Sequence, residues 1–367
     1  MIKPIAKFSP VGLYMVSILV LSYGTGILPS SYFLYGIVVF WGIRNLAFNV
    51  RYDNIVIAFL FLYLSSFVRI WEYSSRMILD VSLTLMGVLP FLNNKIVNID
   101  IRKLNFFAIL FLFISTYGQL NSISLSSLST FLINSDLQTE SMMLSFIFPF
   151  FCMFFLMNKK YTFFIINIIC TIIAGKRISL LAVLICSFLY VLLSRMSIKK
   201  YEKIKWMIPV LALLFNILYL FLSYQLASGG LSDLIFEYTG LSSNAFTMGR
   251  ESLYSTAFTE FKTSDVFDVL FGEFKIYDIV ESNRLHNDIM IIWMENGLII
   301  FCVFWLLLYR KCNIETLVYS LILNILFMTD NTLVYVPVLF FACFFIRLAN
   351  QNRETLQYIK PFKIRKS

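Results

Sequence analysis

Solid apolar runs, separated by short polar breaks, dominate the hydrophobic pattern of the chain. A helix needs about 20 apolar residues to cross the hydrocarbon core of a bilayer, or about 17 when its ends snorkel. A transmembrane β-barrel would instead show alternating segments of about ten residues. The pattern predicts an all-α polytopic membrane protein with about twelve transmembrane helices, over residues 9–28, 31–49, 54–71, 77–92, 104–120, 142–157, 161–175, 178–194, 206–224, 287–308, 314–330 and 333–349.

The connections between these predicted helices are short, except for residues 121–141 and residues 225–286. The second is far longer than a span connection requires, and loops of that length are usually functional. We therefore divide the chain into four parts, which are nine helices with short loops, one large external loop, three further helices and a basic tail. Their bounds are 1–224, 225–286, 287–349 and 350–367.

Two segments inside the large loop have local structure of their own. Apolar residues recur at helical spacing over residues 250–261, which predicts a short amphipathic helix lying on the membrane surface. Residues 264–279 alternate acidic with aromatic side chains around Gly272, and a glycine at that position suits a turn.

Composition excludes the soluble alternatives. The chain is 59% hydrophobic and only 14% charged, whereas a soluble domain is about 45–50% apolar and about 25% charged. Its mean hydropathy is +0.80, and 30 basic and 21 acidic residues cannot cover the surface of a soluble fold of 367 residues. Globular soluble, disordered and fibrous proteins are therefore excluded.

Charge placement predicts the orientation. With both termini in the cytoplasm, most basic residues fall in cytoplasmic loops and most acidic residues fall on the external side. This is the positive-inside bias of membrane proteins. The net charge of +9 is then a topology signal from a basic face beside anionic membrane lipids, and it indicates no nucleic-acid partner.

Cysteine and histidine usage indicates neither a disulfide framework nor a metal. The six cysteines lie within predicted helices or at a cytoplasmic helix end, and the large external loop has none. His286 is the single histidine, and the chain has no CxxC motif. We therefore expect no metal site and no cofactor.

Basic residues on the external side are the first candidates for chemistry. Lys176 and Arg177 lie in a tight predicted external turn, where adjacent cations are disfavoured. A guanidinium fork suits a phosphate or pyrophosphate, because it donates two parallel hydrogen bonds. The alternative is a lipid headgroup or an acidic partner elsewhere in the bundle. Arg250 and Arg284 also fall on this side, where they either bind an anion or pair with the many acids of the loop.

His286 stands at the junction of the large loop and the tenth predicted helix. Its unperturbed pKa makes histidine a natural general base at neutral pH, although a lone histidine is often structural. Asp288 or Glu295 would orient the ring. Glu295 lies about two turns into a predicted span, which implies a partner or a polar cavity, and Asp330 with Asn331 adds a polar pair at the same external level.

These segments resemble motifs of the O-antigen polymerase (Wzy-type) and O-antigen ligase superfamily. Twelve or so spans with one large late periplasmic loop is also the architecture of that family. The similar segments are Gly249-Arg250, His286-Asn287 followed by Glu295 and Gly297, Ala174-Gly175-Lys176-Arg177 before Ile178-Ser179, and Asp330-Asn331. The departures are Lys176 where a serine is common, Ile178 where a small residue is common, Tyr254 in place of a frequent tryptophan, and Ile289 in place of an aromatic residue.

The resemblance implies a membrane-embedded glycosyltransferase of the GT-C type, metal-independent and inverting, in the inner membrane of a Gram-negative bacterium. Its site would face the periplasm and act on undecaprenyl-pyrophosphate-linked oligosaccharide units, with a chain-length regulator and a flippase as partners. The implied catalytic residues are Arg177 and Arg250, which would bind the pyrophosphate, and His286 as the base. The implied substrate-binding residues also include Lys176, Tyr254, Arg284, Asn287, Asp288, Glu295 and Asp330.

Two other functions are compatible with the same sequence features. An O-antigen ligase would use the same chemistry with lipid A core as acceptor, and the divergent Phe- and Ile-rich character of the chain favours the polymerase. A transporter would also have about twelve spans, but transporters tend to have two similar halves and ionisable residues deep in the bundle. The chain shows no internal duplication, and its external charges cluster at one face.

Overall fold

The computed structural model describes residues 53–67, 82, 85, 87–92, 100–116, 144–247, 249–262, 264–272, 276 and 285–359. Every regular element in these ranges is a helix. The α-helices are α1 (Asn54–Phe67), α2 (Ile101–Thr116), α3 (Phe148–Met157), α4 (Tyr161–Ile173), α5 (Arg177–Ser194), α6 (Ile198–Ile204), α7 (Ile208–Ala227), α8 (Ser232–Thr239), α9 (Ser243–Phe246), α10 (Arg250–Lys262), α11 (Val266–Phe271), α12 (Asp288–Leu308), α13 (Ile314–Thr329) and α14 (Val336–Ile359). Short 3₁₀ turns lie at Leu89–Leu92, Leu144–Phe146 and Thr332–Val334.

Three of these helices, α5, α7 and α12, are long and apolar enough to cross a membrane. Five shorter ones, α1, α3, α4, α13 and α14, are also largely apolar. The described part of the chain is therefore all-helical and compatible with a membrane protein. The predicted helices at 9–28 and 31–49, most of the one at 77–92 and the loop 121–141 lie outside the described residues.

The main helix pairs are antiparallel, and a short connection enforces this arrangement for α3 and α4. The pairs α3 with α4, α5 with α13, α1 with α12, and α7 with α12 form the main contacts. Aromatic rings fill the space between α3, α13 and α14, where Phe345 packs against Phe150, Phe151 and Tyr319 with ring centroids 5.2 to 6.4 Å apart. Such offset and edge contacts add to the free energy of apolar burial.

Contacts between loops define two ends of this bundle. At one end, which we call the site end, Asp330 contacts both Lys176 and His286, and Phe146 stacks on Tyr335. At the opposite end the Tyr201 hydroxyl donates to the carbonyl of Cys312 at 2.9 Å. The connecting segments at that end, which we call the basic end, include the short helix α6 and carry Lys159, Lys160, Arg195, Lys199, Lys200, Lys203, Lys205, Arg310 and Lys311.

A buried ion pair joins α14 to the start of α1 at the basic end. Arg347 is 4% exposed, and its Nε donates to Oδ2 of Asp53 at 2.6 Å. A second guanidinium nitrogen donates to the carbonyl of Phe91 at 2.7 Å, and the guanidinium also lies over the Phe91 ring. Asn350 donates to the other Asp53 oxygen at 2.7 Å, so both oxygens of the carboxylate have partners.

Asp53→Ala is expected to lower the free energy of unfolding by about 3–5 kcal/mol, because it leaves the buried Arg347 charge uncompensated. Thermal unfolding of the purified protein in detergent measures the change. Asp100→Ala is the matched control, since Asp100 is half exposed and pairs with Lys103 at 3.9 Å on the surface. Equal, small effects of the two substitutions would contradict the assignment.

The segment 250–262 is a helix, as predicted, and its apolar face packs against the helix bundle. Its apolar side chains, including Tyr254 and Phe258, are buried within the protein. Phe258 packs against Tyr224 of α7, with ring centroids 5.3 Å apart, and Phe261 packs against Trp293 of α12 at 4.6 Å. The apolar face of α10 therefore covers an aromatic surface on α7 and α12.

A close backbone contact joins α11 to the middle of α12. Gly272 ends α11 with a φ of 73°, which confirms the predicted turn, and α12 breaks at Gly297, where φ is 82°. A Cβ added to Gly272 would lie 2.5 Å from the Gly297 nitrogen, so neither position has room for a side chain. Beside the break, Asn296 accepts hydrogen bonds from Ser65 and Ser66 of α1.

Candidate active site

Four segments that are distant in sequence meet at the site end. They are the turn before α5, the start of α10, the start of α12 and the loop between α13 and α14. Antiparallel packing of α5 on α13 brings Lys176, directly before α5, to Asp330 at the end of α13, and α12 begins close to Asp330. The site therefore consists of helix ends and the loops beside them, where polar groups are available for contacts outside the apolar core.

Asp330 is the centre of the cluster, and its side chain is 4% exposed. Oδ1 lies 3.4 Å from Nδ1 of His286 and accepts from the Tyr335 hydroxyl at 3.2 Å and the Asn331 backbone N–H at 2.8 Å. Oδ2 lies 3.7 Å from Nζ of Lys176. One buried carboxylate thus joins the turn before α5 to the histidine before α12.

The electrostatics of Asp330 favour its charged form. Burial would raise the pKa of this carboxyl group, but the hydrogen bond with His286, the positive charge of Lys176 and the backbone N–H of Asn331 together hold the pKa below its ordinary value. Asp330 is therefore a carboxylate at neutral pH, and it lies against Lys176 and the His286 ring.

His286 has a backbone conformation that few residues adopt, with φ at 53°. Its backbone N–H donates to Oδ1 of Asn331 at 3.1 Å, which fixes this turn against the loop after α13. Its side chain is 41% exposed, so the ring is open to solvent while Nδ1 faces Asp330. In the tautomer with hydrogen on Nδ1, this N–H donates a hydrogen bond to the Asp330 carboxylate, and Nε2 carries the lone pair that a general base needs.

Asp288 has a different role from the predicted one. It is buried, and its Oδ2 accepts from the Thr332 hydroxyl at 2.9 Å and the Leu333 backbone N–H at 2.8 Å. The carboxylate that contacts the His286 ring is that of Asp330. Asp288 instead holds the 3₁₀ turn that follows Asp330, through Thr332 and Leu333. Glu295 lies two turns further along α12, half-buried beside the break at Gly297.

Arg250 opens α10 directly after Gly249, whose φ is 83°. One turn later, Tyr254 is buried within hydrogen-bonding reach of the side chains of Asn287 and Tyr219, and the charge of Arg250 acts on it. Burial raises the pKa of the Tyr254 hydroxyl, and the Arg250 charge offsets this in part, so the residue is a neutral phenol at physiological pH. This network connects Arg250 to the start of α12.

Arg177 is the first residue of α5 and follows Lys176 in the turn. Its Nη2 is buried and has no hydrogen-bond partner among the described residues. A buried donor without a partner is unfavourable by about 1–3 kcal/mol, and an anion at this position would satisfy it. The N-terminus of an 18-residue helix adds partial positive charge at the same place.

Sequence reasoning missed two tyrosines of this site. Tyr335 donates to Asp330, and Tyr219 donates to the carbonyl of Met328 at the end of α13 while contacting Tyr254. Both lie within apolar predicted helices, where nothing local separates them from core residues. Arg284 lies outside the described residues.

Asp330→Asn is expected to lower the free energy of unfolding at neutral pH by about 1–3 kcal/mol, because Lys176 loses its buried counter-charge and the His286 ring loses a charged hydrogen-bond partner. The folded-state pKa of Asp330 is below its unfolded value, so this stabilisation is present above the ordinary carboxyl pKa and is lost as the pH falls through the lowered one. Thermal unfolding between neutral pH and about pH 3 measures both effects. Asp233→Asn, at an exposed position of α8, is the control. An identical acid profile for Asp330→Asn and the unsubstituted protein would contradict this role.

No family model, curated protein or solved structure matches the chain. Within the described residues there is also no group of three or more His, Cys, Asp or Glu side chains placed to hold a metal ion. A functional assignment therefore depends on the chemistry of the side chains at the site end.

Proposed function

We propose that this protein is a membrane-embedded glycosyltransferase that polymerises lipid-linked repeat units of O-antigen or a similar surface polysaccharide, as the resemblance to the Wzy-type polymerases implies. The observation that carries the proposal is the cluster of His286, Asp330 and Lys176, together with Arg177, which follows Lys176 in the chain and whose buried Nη2 has no hydrogen-bond partner among the described residues. A base, its orienting carboxylate and an anion-binding arginine are the groups that transfer from a lipid pyrophosphate requires.

The proposed step is a single displacement with inversion. Nε2 of His286 takes the proton of the acceptor sugar hydroxyl as that oxygen attacks the anomeric carbon of the donor. The bond between this carbon and the pyrophosphate oxygen breaks, and its electron pair leaves with the undecaprenyl pyrophosphate. Asp330 stabilises the imidazolium that forms, and Arg177 and Arg250 neutralise the charge that develops on the leaving group.

We further propose twelve spans in the bacterial inner membrane, with both termini in the cytoplasm and the site end in the periplasm. Two features support this orientation. Basic loop residues of the described chain concentrate at the end opposite the site, which fits the positive-inside rule. The candidate spans α5, α7 and α12 each have one terminus at the site end. A chain-length regulator and a flippase would then act at the same membrane.

Reconstitution tests the proposal. Purified protein in liposomes receives the lipid-pyrophosphate-linked repeat unit, with lipid A core present, and the products are resolved on a gel. We expect a ladder on the lipid carrier. A shift of lipid A core alone would establish a ligase instead. No covalent product, with authentic substrate and folded protein, would overturn the transferase assignment and favour transport.

A further inference from the structure

A short separate helix lies between two candidate membrane spans at the basic end. Helix α6 follows α5 after a turn at Ser197, whose side chain accepts from the Lys200 backbone N–H at 3.4 Å. Tyr201 is buried, and its hydroxyl donates to the carbonyl of Cys312 in the α12–α13 connection. The helix is therefore capped at its start and anchored to the bundle by one face.

The opposite face of α6 carries positive charge. Residues 195–207 contain five basic residues and a single acid, Glu202, which pairs with Lys205 at 3.4 Å. Lys199, Lys200 and Lys203 are exposed, and none of the three has an acidic partner in the described part of the chain. Three ammonium groups thus face outward from one helix.

Large apolar side chains that are mostly exposed lie beside these lysines. Ile198 at the start of α6 is 77% exposed, and Trp206 just after it is 71% exposed. The same exposed apolar surface continues onto the adjacent ends of the flanking helices, through Leu192 of α5 and Val210 and Leu211 of α7. Because α5 and α7 are candidate spans, this surface is continuous with the one that lipid would cover.

We infer that α6 with Trp206 is a binding site for the headgroups of anionic phospholipids. Tryptophan is enriched where hydrocarbon meets headgroups, and lysines close to an anionic bilayer surface are attracted by its phosphates. A water-soluble partner, either nucleic acid or protein, would match the lysines but would leave the apolar residues between α5 and α7 unexplained. The inference requires a membrane-embedded chain, but it does not depend on the proposed transferase activity.

Fluorescence quenching of Trp206 in liposomes tests this site. The protein is reconstituted in phosphatidylcholine with a small fraction of brominated phosphatidylglycerol, and in a second series with the same fraction of brominated phosphatidylcholine. Subtracting the Trp206→Phe signal isolates one of the five tryptophans. We expect the anionic lipid to quench Trp206 about fivefold more strongly at low mole fraction, and this preference to fall as salt is added.

In the triple variant Lys199→Gln, Lys200→Gln, Lys203→Gln, both brominated lipids should quench Trp206 equally. The matched control is Arg310→Gln with Lys311→Gln, because these exposed residues lie at the same end but outside α6, and it should keep the preference. Equal quenching by both lipids in the unsubstituted protein, at low salt, would overturn the headgroup site. No quenching by either lipid would place Trp206 outside the bilayer and would overturn the inference entirely.

Discussion

Replacing His286 by alanine is expected to lower the rate of glycan transfer by about 10²–10⁴-fold, the usual contribution of a general base. The ring is the exposed partner of a buried carboxylate, so its removal takes away proton transfer without opening the core. The measurement is the product ladder in the reconstituted assay, together with thermal unfolding in detergent.

Backbone strain needs a separate control at this position, because His286 has a φ of 53°. His286→Asn serves, since asparagine tolerates the left-handed conformation but has no titratable ring nitrogen. We expect His286→Asn to be folded and as inactive as His286→Ala. Near-normal transfer by either variant would remove His286 from the mechanism.

Arg177→Lys is expected to lower transfer by about 10²–10³-fold, comparable to the loss of one donor to a developing anion. Lysine keeps the charge but cannot present the paired N–H groups of a guanidinium to a pyrophosphate. The affinity for a non-reactive polyprenyl pyrophosphate, measured by its competition with the donor substrate, should fall together with the transfer rate. This separates a role toward the anion from a general loss of fold.

Arg195→Lys is the matched control for that substitution. Arg195 caps the other end of the same helix α5, at the basic end, and is exposed. We expect this variant to retain full transfer and full binding. An unchanged rate for Arg177→Lys would assign the turn before α5 a structural role.

Much of the helical framework follows from local properties of the chain. The prediction 178–194 corresponds to α5 at Arg177–Ser194, and the prediction 287–308 corresponds to α12 at Asp288–Leu308. These ends are predictable because a run of apolar side chains is buried as one helix, and charged or capping residues end it. Asn287, for example, caps α12 by accepting from the Met290 backbone N–H at 3.1 Å.

Partner identity within the site was not predictable in the same way. The sequence suggested Asp288 or Glu295 as partners of His286, because they are its neighbours along the chain. The structure places Asp330 against the ring, 44 residues further on, and turns Asp288 toward Thr332 and Leu333. The carboxylate that contacts the His286 ring is set by how α12 packs against α13. Residue spacing along one helix cannot predict that packing.

The pattern of apolar and polar residues thus predicts the all-helical class, the places where polar residues interrupt apolar helices, and the few charged residues that are candidates for chemistry. The length of an apolar run is a local property, and the distribution of charge between the two sides is a sum over loops, so both can be read from one sequence. Three further features appear in the folded structure alone. The apolar face of α10 covers α7 and α12, Gly272 meets the break at Gly297, and Lys176 and His286 share Asp330. Each of these depends on the packing of helices far apart in sequence.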